Sequence, residues 1–192
     1  ADKILAVGYE NGNIDLIYND RIVNIPDVKE KILSGSKVIN NFLFYQDKIY
    51  TSTDFGIVVV DPSKKEVKDT YFLGDGGQNL RVNSLVVYSN NFWAATEKGV
   101  LTAETTDPLL VSFERWTKQS FFVDPEKECV GISATSEVIF AVEDQGVSND
   151  IVWRNNGLGW IEVDRPFSGI NSISLDYAKV VVTSNSGVAT YS

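Results

Sequence analysis

Four carboxylates and an amide occupy one repeated position in this sequence. Glu10, Asp54, Glu97, Asp144 and Asn185 each stand two residues before a glycine. Three further amides, Asn40, Asn83 and Asn171, precede Gly56, Gly99 and Gly187 at one constant offset. Side chains of this kind, gathered on one surface, can hold a divalent cation such as calcium, a basic partner or the hydroxyls of a glycan. The same residue types also suit tight turns, because their short polar chains hydrogen-bond nearby backbone. The eight residues are therefore a candidate binding rim with a sufficient structural explanation, and they imply no cofactor.

Other chemistry is sparse. Glu143 and Asp144 are adjacent, but neighbours on a strand point to opposite faces, so they do not converge as an acid–base pair. Asp124, Glu126 and Glu128 lie close together in a segment that reads as solvated turn charge. The sequence contains no histidine, which removes the commonest general base and transition-metal ligand. Its one cysteine, Cys129, opens an apolar stretch at residues 129–132, reads as a small buried hydrophobe and has no partner for an internal disulfide. GxSxG, HExxH, CxxC and P-loop patterns are missing. The expectation is a binding module and not an enzyme.

The elements that position these residues follow from an internal repeat. A β-rich run, two turn-like residues, a glycine and a second β-rich run recur at residues 4–17, 48–61, 91–104, 138–151 and 179–192. The anchors Gly12, Gly56, Gly99, Gly146 and Gly187 are spaced by 44, 43, 47 and 41 residues. That period suits a four-stranded propeller blade, and the intervening residues alternate with the period of a strand. A second marker, an apolar residue followed by Asn or Gly, falls at Ile39–Asn40, Val82–Asn83, Val130–Gly131 and Ile170–Asn171. Its offset from the following glycine is the same in three repeats and one position shorter at Val130–Gly131. A near-constant offset is expected for an inner strand A, a turn and strand B ahead of a tight B–C hairpin.

The fold expected is thus all-β, a β-propeller of antiparallel four-stranded blades forming one segment over residues 1–192. Three blades are complete and two are not. The first has B, C and D (the last near residues 21–25) without A, and the fifth has A, B and C without D. The fourth is irregular, with its C–D hairpin displaced to residues 151–163. Trp93, Trp116, Trp153 and Trp160 read as core or inter-blade packing. The phasing suggests a piece of a longer chain, with apolar faces bare on both terminal blades. Association through those blades is expected, residues 4–7 of one copy approaching residues 180–183 of another.

The 192 residues are 43% hydrophobic with a formal net charge of −9. Such an acidic surface, without a compensating Lys/Arg cluster, argues against nucleic-acid partners. No apolar run approaches the roughly 20 residues of a membrane span.

Several segments carry a family resemblance. GYENGNIDLI (8–17), NIPDVKEK (24–31), GSKVINN (35–41), FGIVVVDPSKKEVKDTYFLG (55–74), AATEKGV (94–100) and FERW (113–116) together resemble the N-terminal propeller of PorZ-type proteins of the type IX secretion system of Bacteroidetes. More loosely, they resemble the two-component-regulator propeller repeats of sensor ectodomains. The similarity is strong over residues 4–116 and falls to blade periodicity over 121–192. The resemblance implies two seven-bladed propellers, a sorting domain and a place at the outer-membrane surface or in the periplasm. It also implies partners among cell-surface secretion proteins, or a glycan or lipopolysaccharide ligand, in a complex that attaches cargo to anionic lipopolysaccharide while a separate sortase does the chemistry. The alternative implied is a glycan-sensing ectodomain of a hybrid two-component kinase.

Overall fold

The computed structural model describes residues 3–146, 150–163, 169–176, 179–185 and 187–191. It divides into two compact units, residues 1–82 with 109–113, and residues 83–108 with 114–192.

In the first unit, β1 (Ile4–Gly8), β2 (Ile14–Tyr18) and β3 (Arg21–Ile25) form a three-stranded antiparallel meander. A single helical turn, α1 (Asp27–Glu30), leads to a four-stranded sheet of β4 (Ile39–Tyr45), β5 (Lys48–Thr53), β6 (Gly56–Asp61) and β7 (Glu66–Tyr71). Two-residue turns join many of these strands, and Asn19 and Gln46 take the positive φ that such hairpins require. The core of the unit gathers Ile14, Leu16 and Ile25 against Ile49, Phe55, Val58 and Val60. Every residue of β6 is buried, which its Ile-Val-Val-Val run supports by β-propensity and by area removed from water.

The second unit continues the pattern. β8 (Val82–Tyr88, its first residue counted with the first unit), β9 (Asn91–Thr96), β10 (Gly99–Glu104) and the two-residue β11 (Thr117–Lys118) form one four-stranded sheet. β12 (Cys129–Ala134), β13 (Ile139–Glu143), β14 (Ile151–Asn155) and β15 (Trp160–Glu162) form the next. β16 (Ile170–Asp176), β17 (Lys179–Ser184) and β18 (Gly187–Tyr191) close the series with three. Both three-stranded sheets and the displaced fourth hairpin fall where the repeat put them.

The tryptophans pack as expected. Trp93 on β9 lies 5.7 Å from Trp160 on β15, so it fills the space between two neighbouring sheets. Trp160 stacks on Phe121, Trp153 on Phe122, and the buried Trp116 on Phe92.

The outward rows of the two terminal sheets differ in composition. On the outward face of the first sheet, Leu5, Ile17 and Ile22 form a cross-strand row, with Leu5 and Ile22 61% and 68% exposed. Beside the row, Asp15 accepts from Asn24 at 2.7 Å and from the Tyr9 hydroxyl at 2.8 Å, which together hold its carboxyl below the ordinary range. The corresponding row of the fifth sheet is Ser172, Thr183 and Val188, with the two hydroxyls 2.7 Å apart. That row mixes the two hydroxyls with Val188, which is 65% exposed, so the fifth sheet also carries apolar surface on this face. The alternation along β16 and β17 directs Ser and Thr outward and sends Ile170, Val180 and Val182 into the core.

Candidate functional site

Each anchoring glycine sits at the connection between the B and C strands of its sheet, and Gly12, Gly56, Gly99 and Gly146 have φ of 84°, 146°, 87° and 66°. At two of them conformation is only part of the requirement. A Cβ on Gly56 would lie 2.1 Å from the main-chain oxygen of Tyr71, and one on Gly99 would lie 2.2 Å from that of Pro125. The segment leaving each blade crosses directly over these hairpins, leaving no room for a methyl group.

The rim residues serve the hairpins in a repeated way. The backbone N–H groups of Asp54, Asp144 and Asn185 donate to the carbonyls of Val38, Glu128 and Gly169, an identical separation along the chain in each case. Asn40 donates from Nδ2 to Asp54 Oδ1 at 3.1 Å, and Asn171 donates to Asn185 Oδ1 at 3.0 Å. The structure therefore brings these two pairs together. Asn83 reaches elsewhere, to Glu128 Oε1 at 2.9 Å and to the carbonyl of Cys129 at 2.8 Å. Asp144 Oδ1 accepts from the N–H of Gly146 at 2.7 Å. Glu10 is exposed in the β1–β2 connection, and Glu97 is half-buried. Glu10 and Asp54 belong to the first unit, and Glu97, Asp144 and Asn185 to the second. Among the described residues, no three carboxylate or thiol side chains gather as a metal site.

The A-strand marker needs one correction. Ladder register shifts place bulges at Asn40, Val130 and Asn171. The fourth marker is thus Cys129–Val130 and not Val130–Gly131. With that change Asn40, Asn83, Val130 and Asn171 all stand at the same offset from their glycines. Gly131 has a different reason to be glycine, because a Cβ there would stand 2.8 Å from Ile173 Cγ2 on the next sheet.

Sequence reasoning missed the position three residues before each glycine. There Thr53, Thr96 and Ser184 donate hydroxyl bonds to the carbonyls of Gly56, Gly99 and Gly187 at 2.9, 2.8 and 3.3 Å, locking the hairpin. The signal was a hydroxyl at fixed offset. In the fourth sheet this position is Glu143, which is fully buried. Its carboxylate accepts from the N–H groups of Val123 and Asp124 and from Trp153 Nε1, at 3.2, 3.3 and 2.8 Å. It fastens the 119–128 connection, whereas Asp144 accepts from the N–H of Gly146. Cys129 is fully buried, and desolvation pushes its thiol up to about 12, so it is inert at neutral pH.

Each unit also holds a cleft of about 380 Å³. The first is floored by Val28, Phe55 and Val67 beside α1. The second is polar, lined by Asn91, Thr102, Glu104, Glu114 and Arg115, with Arg115 pinned by Asp107 at 2.6 Å.

Successive antiparallel meanders of three or four strands, each with its hairpin glycine and inner strand, define part of a β-propeller. The chain belongs to the family described as the type IX secretion system PorZ N-terminal β-propeller domain, which matches residues 1–117. Solved structures agree over nearly the whole chain. PorZ, a bacterial surface component of the type-IX secretion system of Porphyromonas gingivalis, superposes with a TM-score of 0.68 at 18% identity over 97% of this chain and 29% of its own. The extracellular domain of a putative one component system, BT4673 from B. thetaiotaomicron, gives 0.68 at 16% identity over 98% of this chain and 26% of its own. A computationally designed protein, Ika8, gives 0.65 at 14% identity over 100% of this chain and 56% of its own. The chain therefore spans less than a third of either natural relative, both of which are surface or extracellular domains. No curated protein matches it. Among the described residues, no helix is long and apolar enough to cross a membrane.

Proposed function

We propose that this chain is a non-enzymatic binding or scaffolding segment of a Bacteroidetes cell-surface protein, acting at the outer-membrane surface or in the periplasm as part of a type IX secretion apparatus. The observation that carries the reading is family membership over more than half of the chain. The rim fits this reading, since Asn40, Asp54, Asn83, Asp144, Asn171 and Asn185 bond other side chains or the backbone. Partners are other secretion proteins, and the full-length protein helps attach cargo to anionic lipopolysaccharide. A net charge of −9 sets that ligand against this segment, so its site lies outside these blades or away from the acidic rim.

A second reading, the glycan-sensing ectodomain of a hybrid two-component kinase, draws on the likeness to a second BT4673 extracellular-domain structure, described as that of a putative hybrid two component system, with a TM-score of 0.66 at 17% identity. The polar cleft at Arg115 has the hydroxyl, amide and carboxylate lining that sugar hydroxyls need. Affinity purification of the cross-linked full-length protein from its own cells, together with a glycan panel, separates the two. Secretion components and an empty panel support the scaffold. Saturable glycan binding without secretion components would replace it with the sensor.

A further inference from the structure

Three side chains grip the same point on successive inner strands. Within the first unit, Asn40 donates from Nδ2 to the carbonyl of Val82 at 2.9 Å. Within the second, Asn83 donates to the carbonyl of Cys129 at 2.8 Å, and Asp150 Oδ2 accepts from the N–H of Ile170 at 2.7 Å. Val82, Cys129 and Ile170 are equivalent residues, standing immediately before Asn83, Val130 and Asn171 of the repeated marker. Beside Cys129 and Ile170 a bulge interrupts the ladder, so the main-chain groups there need partners from outside their own sheet.

We propose that these contacts fasten each inner strand at its start, and that in the second unit they are inter-blade clasps, one at each of two successive junctions, where a side chain of one blade fixes the inner strand of the next. Asp150 replaces the amide at the one junction where the marker residue cannot serve, because Val130 has no polar side chain. The polarity reverses with the replacement, an amide donor on a carbonyl giving way to a carboxylate acceptor on an N–H. Asp150 is 2% exposed, and its other oxygen accepts from the N–H of Gln145 at 3.1 Å, so both oxygens are committed. A second contact, from the N–H of Ile132 to Ser84 Oγ at 3.0 Å, reinforces the junction that Asn83 spans. A sequence rule follows: an amide at the marker position, or, failing that, an acid four residues after the hairpin glycine.

The test uses urea unfolding of the whole chain and amide exchange read residue by residue. Asn83→Asp is nearly isosteric but sets a carboxylate against the carbonyl of Cys129 and the side chain of Glu128. It should raise the unfolding constant by about tenfold or more, at least as much as Asn83→Val, because a buried acceptor loses its donor. Asp150→Ala removes both acceptor oxygens. It should speed exchange of the Ile170 amide about tenfold relative to that of Ile132, whose acceptor is untouched. Wild-type stability of Asn83→Asp would overturn the proposal, and so would unchanged exchange at Ile170 in a folded Asp150→Ala.

Discussion

Adding one methyl group at two hairpin glycines separates conformational cost from steric cost. At Gly146 the backbone has a φ of 66°, and a Cβ would meet nothing within 4 Å among the described residues. Gly146→Ala should therefore carry only the left-handed penalty, about 1 kcal/mol. At Gly56, with a φ of 146°, the same methyl group falls 2.1 Å from the main-chain oxygen of Tyr71. That atom is the end of β7, paired with Ile57, and cannot swing aside as a flexible side chain would. Relieving the overlap moves strand backbone, on the overpacking scale of about 1–3 kcal/mol. The shift also strains the Thr53 hydroxyl bond to the Gly56 carbonyl, a contribution of about 1 kcal/mol. Gly56→Ala should thus cost about 3–5 kcal/mol, against a total stability of roughly 5–15 kcal/mol for a domain.

The assay is urea unfolding followed by far-ultraviolet circular dichroism, with the slope against denaturant checked for constancy. A lowered midpoint at unchanged slope for Gly56→Ala, and a small shift for Gly146→Ala, is the expected result. Equal losses would refute the steric argument and leave the φ requirement as the whole role of these glycines.

Four further outcomes are expected. The Cys129 thiol, pushed up to about 12 by burial, should resist iodoacetamide at pH 8 until urea unfolds the chain, and its stability contribution should fade as pH rises from about 9 toward 12; labelling of native protein at the unfolded rate would contradict this. Asp61 is held well below the ordinary carboxylate range by the Ser63 hydroxyl, the Lys64 N–H and Lys48, so its contribution is present at neutral pH and lost as pH falls below about 4. Asp61→Asn should therefore destabilise at pH 7 and make progressively less difference in acid, and a loss independent of pH would count against the bonding described. Calcium titration by calorimetry should be flat for the wild type as for the variant with Glu10, Asp54, Glu97 and Asp144 all amidated; a saturable heat that vanishes in the variant would restore the cation site. Any self-association seen by light scattering should fall with Ile22→Lys, which breaks the exposed Leu5–Ile17–Ile22 row, and persist with Thr183→Lys.

Periodicity and turn chemistry are local, and the features that depended on them were legible. Glycine spacing, the missing A strand of the first sheet, the missing D strand of the fifth and the late C–D hairpin at residues 151–163 could all be read from one blade at a time. The errors came from longer range. Matching residue types in the fourth repeat selected Gly131, whereas the bulge is at Val130, and only Ile173 on the next sheet explains why position 131 is glycine. The backbone passing over Gly56 and Gly99 was equally invisible, because Tyr71 and Pro125 lie well downstream, beyond the reach of any turn pattern.

The same contrast bears on where specificity resides. A residue type that returns in every blade answers a demand made by every blade, as the rim amides and carboxylates do when they cap hairpins and clasp inner strands. Partner recognition needs residues that depart from the repeat, and loops held on a rigid scaffold are where such departures are tolerated. Three departures stand out: the connection bearing the fully exposed Ile32, the 105–116 excursion with exposed Leu109 and Val111, and the 119–128 connection fastened by Glu143. Rim substitutions should therefore lower stability before they affect any partner. Ile32→Ser, at a fully exposed side chain, should leave the unfolding free energy within about 0.5 kcal/mol of wild type. If binding of a partner or glycan is lost only in rim variants that remain fully stable, recognition belongs to the repeat and this division of labour fails.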